Sequence, residues 1–122
     1  MLFVCYAKCG TCKKAEKYLQ SKNVTLEKRD IKEDKPSLAE LQTWYRASGL
    51  PLKRWFNTSG TLYKELGLKD KLKTMGEDEQ LELLSTDGML VKRPILVLPN
   101  GHVLVGFKEA EYQEQGLWFI VK

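Results

Sequence analysis

The stretch Leu2-Phe3-Val4-Cys5-Tyr6, followed closely by Cys9-Gly10-Thr11-Cys12, decides how this 122-residue chain folds. The first five residues are apolar throughout, which is typical of a short central β-strand. A helix is predicted from Cys9 onward, because Cys12, Ala15 and Leu19 recur at helical spacing. Cys9 is therefore expected at the mouth of a helix, where free backbone N–H groups and the helix dipole favour a thiolate.

A cysteine pair in this position predicts redox or nucleophilic chemistry. Cys9 is the candidate nucleophile, and Cys12, one turn into the helix, lies within disulfide reach as the candidate resolving thiol. Half of a zinc site is another interpretation, but only Cys5 and His102 remain as ligands and neither has the spacing of a second pair. Two unreactive buried cysteines are a third interpretation. Three lysines adjoin the pair, which favours a reactive thiol.

Length and composition predict one globular domain, residues 1–122, with a single core: 43% of the residues are hydrophobic and 30% are charged. No apolar run is long enough to span a membrane, and Leu2–Tyr6 is too short for a secretory signal, so we expect a cytoplasmic protein without a membrane partner. In that compartment a Cys-x-x-Cys pair is more often catalytic, redox-sensing or metal-binding than structural. The net charge of +4, with acidic residues among the lysines, predicts no direct nucleic-acid binding.

The remaining pattern predicts strands near both ends of the chain and helices between them. A second strand is predicted over Thr25–Arg29, parallel to the first by the right-handed crossover rule. Residues 36–86 form an inserted run of helices. The hairpin signal Pro99-Asn100-Gly101 then joins two strands, predicted over Ile95–Leu98 and His102–Val105. With a last helix over Lys108–Gln115, the fold class is α/β: a small mixed four-stranded sheet with helices on its faces.

Three helices are predicted within the insert. Ser37 and Glu40 form a capping box at the start of the first, which ends at Gly49. The second is short and closes at Gly67, and the third covers Glu77–Ser85. Four aromatic residues sit at helical spacing with leucines, so we expect them in the core: Trp44, Tyr45, Trp55 and Phe56.

Three features outside the cysteine pair need an interpretation. Cys5 on the first strand is expected to be core, with a second thiol partner as the alternative. His102 is expected to be polar hairpin surface without a catalytic role. The apolar tail over residues 117–121 either packs on the body or forms an exposed apolar surface, and the pattern does not decide between these.

Three segments occur in order along the chain: Tyr6-Ala7-Lys8-Cys9-Gly10-Thr11-Cys12-Lys13-Lys14-Ala15, Thr61-Leu62-Tyr63-Lys64-Glu65-Leu66-Gly67-Leu68 and Lys92-Arg93-Pro94-Ile95-Leu96-Val97. Together they resemble the family of glutaredoxin-linked arsenate reductases, which includes the Spx and MgsR redox-responsive transcription regulators. The resemblance extends over nearly the whole chain. It implies a thioredoxin-like fold with an inserted helical subdomain.

The resemblance also implies roles for single residues. Cys9 matches the nucleophilic cysteine of the family, and Arg93 matches an arginine that points at this thiol and binds oxyanions. Pro94 matches a proline beside the active site that often follows a cis peptide bond. A guanidinium near Cys9 would lower the thiol pKa and hold an anion through two hydrogen bonds, whereas Arg93 alone also fits a surface ion pair. The candidate substrate- and anion-binding residues are Lys8, Gly10, Thr11, Arg93 and Pro94.

Two functions follow from the resemblance. The first is a thiol-disulfide oxidoreductase that reduces arsenate or protein or small-molecule disulfides, without resident cofactor or metal, using glutathione, glutaredoxin or thioredoxin as external reductant. The second is a redox-sensing regulator that binds the RNA polymerase alpha subunit through a Cys9–Cys12 disulfide switch. A structural or adaptor protein is a third interpretation. Arsenate reductases of this family have arginines near two positions where this chain has Asn57 and Gly106.

Overall fold

The sheet consists of four short strands: β1 (Leu2–Cys5), β2 (Glu27–Asp30), β3 (Ile95–Val97) and β4 (Val103–Val105). Their order is β2-β1-β3-β4, in a computed structural model that describes residues 1–115. β1 pairs with β2 in parallel, and the other two pairs are antiparallel. The predicted mixed four-stranded sheet is therefore confirmed, while the apolar tail 117–121 lies outside the described residues.

Strand pairing sets the ends of β2, which differ from the predicted ones. Glu27 lies opposite Leu2, the first residue of β1, so Thr25 has no strand residue beside it and stays outside the sheet. At the other end Asp30 lies opposite Cys5 and extends β2 by one residue. The β3–β4 hairpin forms as predicted, closed by hydrogen bonds from Gly101 N to Leu98 O and from Leu98 N to the carbonyl of residue 102, each 2.9 Å long.

Within residues 1–115, six α-helices accompany the sheet: α1 (Gly10–Ser21), α2 (Leu38–Ser48), α3 (Thr61–Glu65), α4 (Leu68–Lys71), α5 (Glu77–Thr86) and α6 (Glu109–Glu114). The three helices predicted in the insert form as α2, α3 and α5. The sequence did not predict α4. Gly67 adopts a left-handed φ of +63° and serves both as the stop after α3 and as the residue before α4. A single buried residue, Leu68, anchors α4, too little for a periodic pattern.

The capping box at the start of α2 also ties the insert to the sheet. Glu40 N donates to Ser37 Oγ at 3.1 Å, and Ser37 N donates to Glu40 Oε1 at 3.0 Å. The same carboxylate accepts two hydrogen bonds from Arg29 of β2, at 2.6 and 2.8 Å. Gly49 then ends the helix at a φ of +66°, as predicted.

The sheet separates two hydrophobic clusters. Alternate residues of β1 and β3 point to opposite faces: Val4 and Ile95 join the cluster under the insert, and Phe3 and Leu96 join the cluster under α1 and α6. Three of the four insert aromatics are buried as predicted, and the fourth, Tyr45, is only partly buried.

Two details bear on the site. Cys5 was expected in the core and is partly buried: it packs against the cluster under α1 and α6, but it ends β1 at the margin of that layer. Gly88, after α5, lies against the backbone that follows β2: a β-carbon there would be 1.8 Å from the Ile31 carbonyl oxygen. Among the described residues, no helix is both long and apolar enough to cross a membrane.

Candidate active site

Cys9 lies at the junction between β1 and α1, where it occupies the N-cap position of the helix. Its backbone is extended (φ −90°, ψ 120°), and its N–H donates to Tyr6 O at 3.0 Å, which closes the connecting turn. The N–H groups of the first helical turn have no helical partners, and those of Thr11 and Cys12 act on the Cys9 sulfur. Cys9 is partly exposed, whereas Cys12 is buried.

The surroundings of Cys9 favour its thiolate. Burial by itself would raise its pKa, but several contacts outweigh burial. The Cys12 N–H and the Cys12 thiol beside the sulfur lower the pKa most, followed by the positive charge of Arg93 and the Thr11 N–H. The net result is a Cys9 pKa below its ordinary value.

Cys12 has the opposite behaviour. Burial is the main cause that raises its pKa, to about 12, and both its hydrogen bond to Cys9 and the Cys9 charge add to the increase. The Tyr6 N–H donates to Cys12 Sγ at 3.4 Å and offsets only part of it. Of the two thiols, Cys9 is therefore the one that ionises more readily, and Cys12 is the one that keeps its proton.

Arg93 lies two residues before β3 and is joined to the buried Pro94 by a cis peptide bond. Its guanidinium carbon lies 5.3 Å from the centroid of the Tyr6 ring, a cation–π distance that directs the positive charge toward the β1–α1 turn. It forms no ion pair with any residue from 1 to 115, so the surface ion-pair interpretation does not hold. Its Nε is buried without a hydrogen-bond partner in that part of the chain.

A cleft of about 430 Å³ opens beside Thr11, and we call it the cationic cleft. Four basic side chains line it: Lys53, Arg54, Lys92 and Lys108. Arg54 is paired with Glu111 at 3.3 Å, whereas the three lysines form no ion pair with a described residue. The cleft therefore has an uncompensated positive potential that attracts anions toward the first turn of α1.

The two positions without the family's arginines are filled differently. The Asn57 amide donates to Met89 O at 3.4 Å, and Asn57 and Arg93 line the same pocket, separate from the cationic cleft. Gly106 has a φ of +76°, and a β-carbon on it would lie 3.4 Å from Cε of Lys92. The Lys92 side chain therefore takes up the space beside position 106 and supplies a positive charge there.

The structure brings Cys9, Cys12, Thr11 and Arg93 together around the start of α1. Lys8 and Gly10 are exposed, and neither they nor Cys9 and Pro94 line any of the pockets formed by the described residues. Sequence reasoning missed three cleft residues, namely Lys53, Lys92 and Lys108. Of these three, only Lys92 could have been recognised from the sequence, because it directly precedes the Arg93-Pro94 pair.

On the β2 side, Cys5 and Cys12 both line a second pocket, of about 340 Å³, which we call the rear pocket. Burial raises the pKa of Cys5, and the nearby charge of Glu16 raises it further, while Lys28 acts in the opposite direction. Residues 1–115 contain no group of three or more His, Cys, Asp or Glu side chains placed to hold a metal ion.

Two comparisons of sequence show what this chain is similar to. The model of the ArsC family matches residues 5–115. The uncharacterized protein YusI of Bacillus subtilis is 52% identical over 114 residues, which cover 93% of this chain and 96% of YusI. The regulatory protein MgsR of the same organism is 26% identical over 111 residues, which cover 91% of this chain and 86% of MgsR.

Solved structures agree with the sequence comparisons. An ArsC-family-related protein of Bacteroides fragilis superposes with a TM-score of 0.90 at 50% identity, over 93% of this chain and 94% of that one. A possible arsenate reductase of Streptococcus mutans superposes with a TM-score of 0.84 at 40% identity, over 94% and 96% of the two chains.

Proposed function

This chain belongs to the ArsC family, and from that premise we propose that it is a thiol-disulfide oxidoreductase in which Cys9 attacks and Cys12 resolves. One observation carries the proposal: two thiols lie one helical turn apart, Cys9 partly exposed at the N-cap of α1 and Cys12 buried, and these surroundings shift their pKa values in opposite directions. A lowered pKa increases the thiolate fraction of Cys9 and makes it a better leaving group. The buried Cys12 stays protonated until it is needed.

The reaction proceeds in two exchanges. The Cys9 thiolate attacks one sulfur of a disulfide substrate, the substrate S–S bond breaks, and the electron pair leaves on the released thiolate. Cys12 then loses its proton and attacks Cys9 Sγ, which forms the Cys9–Cys12 disulfide and expels the second substrate thiolate. The substrate disulfide is reduced to two thiols, and the two cysteines are oxidised. An external thiol, such as glutathione, glutaredoxin or thioredoxin, restores them.

Electrostatics sets the order of the two exchanges. While Cys9 is a thiolate, its charge and its hydrogen bond keep the Cys12 pKa high. Once Cys9 is bound in a mixed disulfide, that negative charge is gone, and the Cys12 proton is lost more easily. Cys12 therefore becomes nucleophilic only after a substrate has been attached, which limits unproductive oxidation of the pair.

The favoured substrates are anionic disulfides. The cationic cleft adjoins Thr11, and its three lysines form no ion pair with a described residue, so carboxylates on a substrate have a complementary surface beside the attacking thiol. Arsenate fits less well, because neutral Asn57 and Gly106 stand where the family's arsenate reductases have arginines. Lys92 supplies a monodentate charge, without the planar bidentate geometry of a guanidinium.

The deciding experiment measures the alkylation rate of each cysteine of the reduced protein against pH, by mass spectrometry. We expect Cys9 to react with an apparent pKa below the free-thiol value of about 8.5, and Cys12 to react only at much higher pH. The Arg93→Gln variant removes a charge that lowers the Cys9 pKa, so its Cys9 profile should move to higher pH. An unchanged profile would show that Arg93 does not act on the thiol.

Turnover of oxidised glutathione completes the test. Cys9→Ser should abolish turnover, because the pKa values of both remaining thiols are raised. Cys12→Ser should accumulate a Cys9 mixed disulfide that gel analysis without reductant detects. Full activity of Cys9→Ser on every disulfide tried would disprove the mechanism.

One observation favours a second function, redox-dependent binding to the transcription machinery. The regulatory protein MgsR is similar over 91% of this chain, and the two family arginines are absent. In this alternative the Cys9–Cys12 disulfide changes the surface around α1 and so controls binding to the RNA polymerase alpha subunit. A pull-down with that subunit, using oxidised and reduced protein, separates the two functions. Equal absence of binding in both states excludes the regulator.

A further inference from the structure

We propose that Cys5 is a third redox-active thiol, which accepts the disulfide from Cys9 and presents it to the reductant as a Cys5–Cys12 bond in the rear pocket. The inference rests on the proposed function, since it starts from the Cys9–Cys12 disulfide. It assigns the two openings of the site to different partners: the substrate enters beside the cationic cleft, and the reductant enters from the β2 side.

The first support is that Cys5 and Cys12 share one face of the sheet. Cys5 packs against the same hydrophobic cluster as Phe3, two residues earlier on β1, and this cluster includes Ala15 of α1. Cys12 lies one turn before Ala15 on the buried side of α1. The two side chains therefore enter the same layer, between β1 and α1, from opposite sides.

The second support is their separation. Tyr6 N is 3.4 Å from Cys12 Sγ and is bonded to the carbonyl carbon of Cys5. By standard backbone dimensions, Cys12 Sγ is then no more than about 6 Å from the Cys5 Cα. The Cys5 sulfur is two bonds from that Cα, so rotation of the Cys5 side chain together with a small shift can bring the two sulfurs to the S–S bond length of about 2.05 Å.

The third support is access. Cys12 is only 3% exposed, but it lines the rear pocket together with Cys5. Thr11, by contrast, lines the cationic cleft, which includes neither Cys5 nor Cys12. A Cys5–Cys12 disulfide would thus be reached through the rear pocket, whose charged residues are mixed in sign: Lys13, Glu16, Lys28, Arg29 and Asp30.

The transfer step is an internal exchange without a further oxidant. Cys5 loses its proton to solvent in the rear pocket, and its sulfur attacks Cys12 Sγ. The Cys5–Cys12 bond forms, the Cys9–Cys12 bond breaks, and the electron pair leaves on Cys9 as its thiolate. Cys5 is oxidised, Cys9 is reduced, and Cys12 stays in a disulfide throughout.

Thermodynamics favours this direction. A disulfide that releases a stabilised thiolate is the more oxidising one, and Cys9 is the cysteine whose thiolate is stabilised. Burial and the Glu16 charge instead disfavour a free Cys5 thiolate. Moving the bond from Cys9 to Cys5 therefore releases the better thiolate and leaves Cys9 ready for another substrate.

Tryptic digestion reads out the transfer directly. Trypsin cleaves after Lys8 and Lys13, so Cys5 lies on peptide 1–8, and Cys9 and Cys12 lie together on peptide 9–13. The full chain is oxidised with one equivalent of oxidised glutathione, free thiols are blocked with iodoacetamide, and the digest is analysed without reduction. We expect peptides 1–8 and 9–13 to be cross-linked, with the alkyl group on Cys9 located by fragmentation. Intact mass verifies that the chain is monomeric.

Two variants make the result decisive. In Cys5→Ser, Cys9 should stay in the Cys9–Cys12 disulfide, which closes a loop within peptide 9–13. The fraction of Cys9 that iodoacetamide labels should then be at least about tenfold below that of wild type, equivalent to about 30 mV. Cys9→Ser lacks the thiol that reacts with oxidised glutathione, so it is oxidised with excess diamide instead, and it should still form the cross-link between peptides 1–8 and 9–13. If wild type yields only the loop within peptide 9–13, and Cys9→Ser forms no cross-link, the transfer is disproved while the proposed function stands. If wild type forms neither disulfide, both fail.

Discussion

The three cysteine thiols of the site have different pKa values because their surroundings differ. Cys9, Cys12 and Cys5 are all thiols within eight residues of one another. Only Cys9 is at a helix N-cap with donors directed at it, and only Cys9 has a lowered pKa. Burial dominates the other two. A nucleophile, a resolving thiol and a candidate acceptor thus arise from one short segment.

The Lys92 charge beside Gly106 predicts selectivity for the charge of the substrate. Lys92→Gln should slow Cys9 oxidation by anionic oxidised glutathione about two- to fivefold at low salt, and should leave cationic cystamine unaffected or faster. Stopped-flow measurement of Cys9 oxidation in both disulfides tests this. Lys71→Gln, an equal charge change on exposed α4, is the control. Equal slowing of both disulfides by Lys92→Gln would contradict an electrostatic role.

The roles of single residues were predictable to the extent that the signal was local. The Cys9 and Cys12 assignments came from their spacing after an apolar strand. The position of Arg93 near the thiol came from the family resemblance alone, since β3 is far from α1 in sequence. Lys53 and Lys108 were missed because only the folded chain brings them beside Thr11. The partial exposure of Cys5 depends on where β1 ends, which strand pairing determines.

At the scale of elements, the Arg29–Glu40 contact couples β2 to the start of α2. Hydrogen bonds from Arg29 are the main cause that lowers the Glu40 pKa to about 2, against burial, which raises it. A carboxyl group with a depressed pKa stabilises the fold above its unfolded pKa of about 4.3. That contribution is lost as the pH falls from about 4.3 toward 2.

Glu40→Gln should therefore lower the free energy of unfolding by about 1 to 2 kcal/mol at pH 7, after allowance for solvent screening of a carboxylate that is 35% exposed. Urea unfolding at a series of pH values tests the sign: the difference from wild type should shrink on acidification. Glu33→Gln changes an exposed carboxylate that forms no ion pair with a described residue, and it should show no such difference. If the difference in unfolding free energy between Glu40→Gln and wild type stays constant down to low pH, the stabilisation does not depend on ionised Glu40.

Elements with complete local signals were predicted well. The capping box of α2 and the hairpin turn each need only four or five consecutive residues. The ends of β2 were misplaced because register against β1 sets them, and that information lies more than twenty residues away. The short α4 depends on a left-handed Gly67 and one buried leucine, which produce no periodic pattern.

At the scale of the molecule, the insert covers one face of the sheet, and α1 and α6 cover the other. The chain returns from the insert to the sheet past Gly88, which lies against the backbone at Ile31. Because the obstacle there is a main-chain carbonyl, it cannot move aside as a side chain could.

Gly88→Ala should therefore destabilise the protein by about 3 kcal/mol or more, because the added methyl group must displace the segment after β2. Chemical denaturation monitored by tryptophan fluorescence measures the loss. Gly76→Ala is the matched control: its β-carbon would lie 3.7 Å from Glu79 Oε1, an ordinary contact, and we expect a loss below about 1 kcal/mol. Similar losses for both variants would show that the close approach at Gly88 is not tight.

The outer strand β2 reads Glu27-Lys28-Arg29-Asp30, and within residues 1–115 it has a neighbour on one side only. Lys28 is tied to Glu16 and Arg29 to Glu40, so these charges stand in fixed positions along the open edge. To pair with β2, a strand from another molecule would have to desolvate these charged side chains. The opposite outer strand, β4, is packed against α2. The charged edge therefore disfavours strand pairing between molecules. We expect the protein to resist fibril-like aggregation even in concentrated solution.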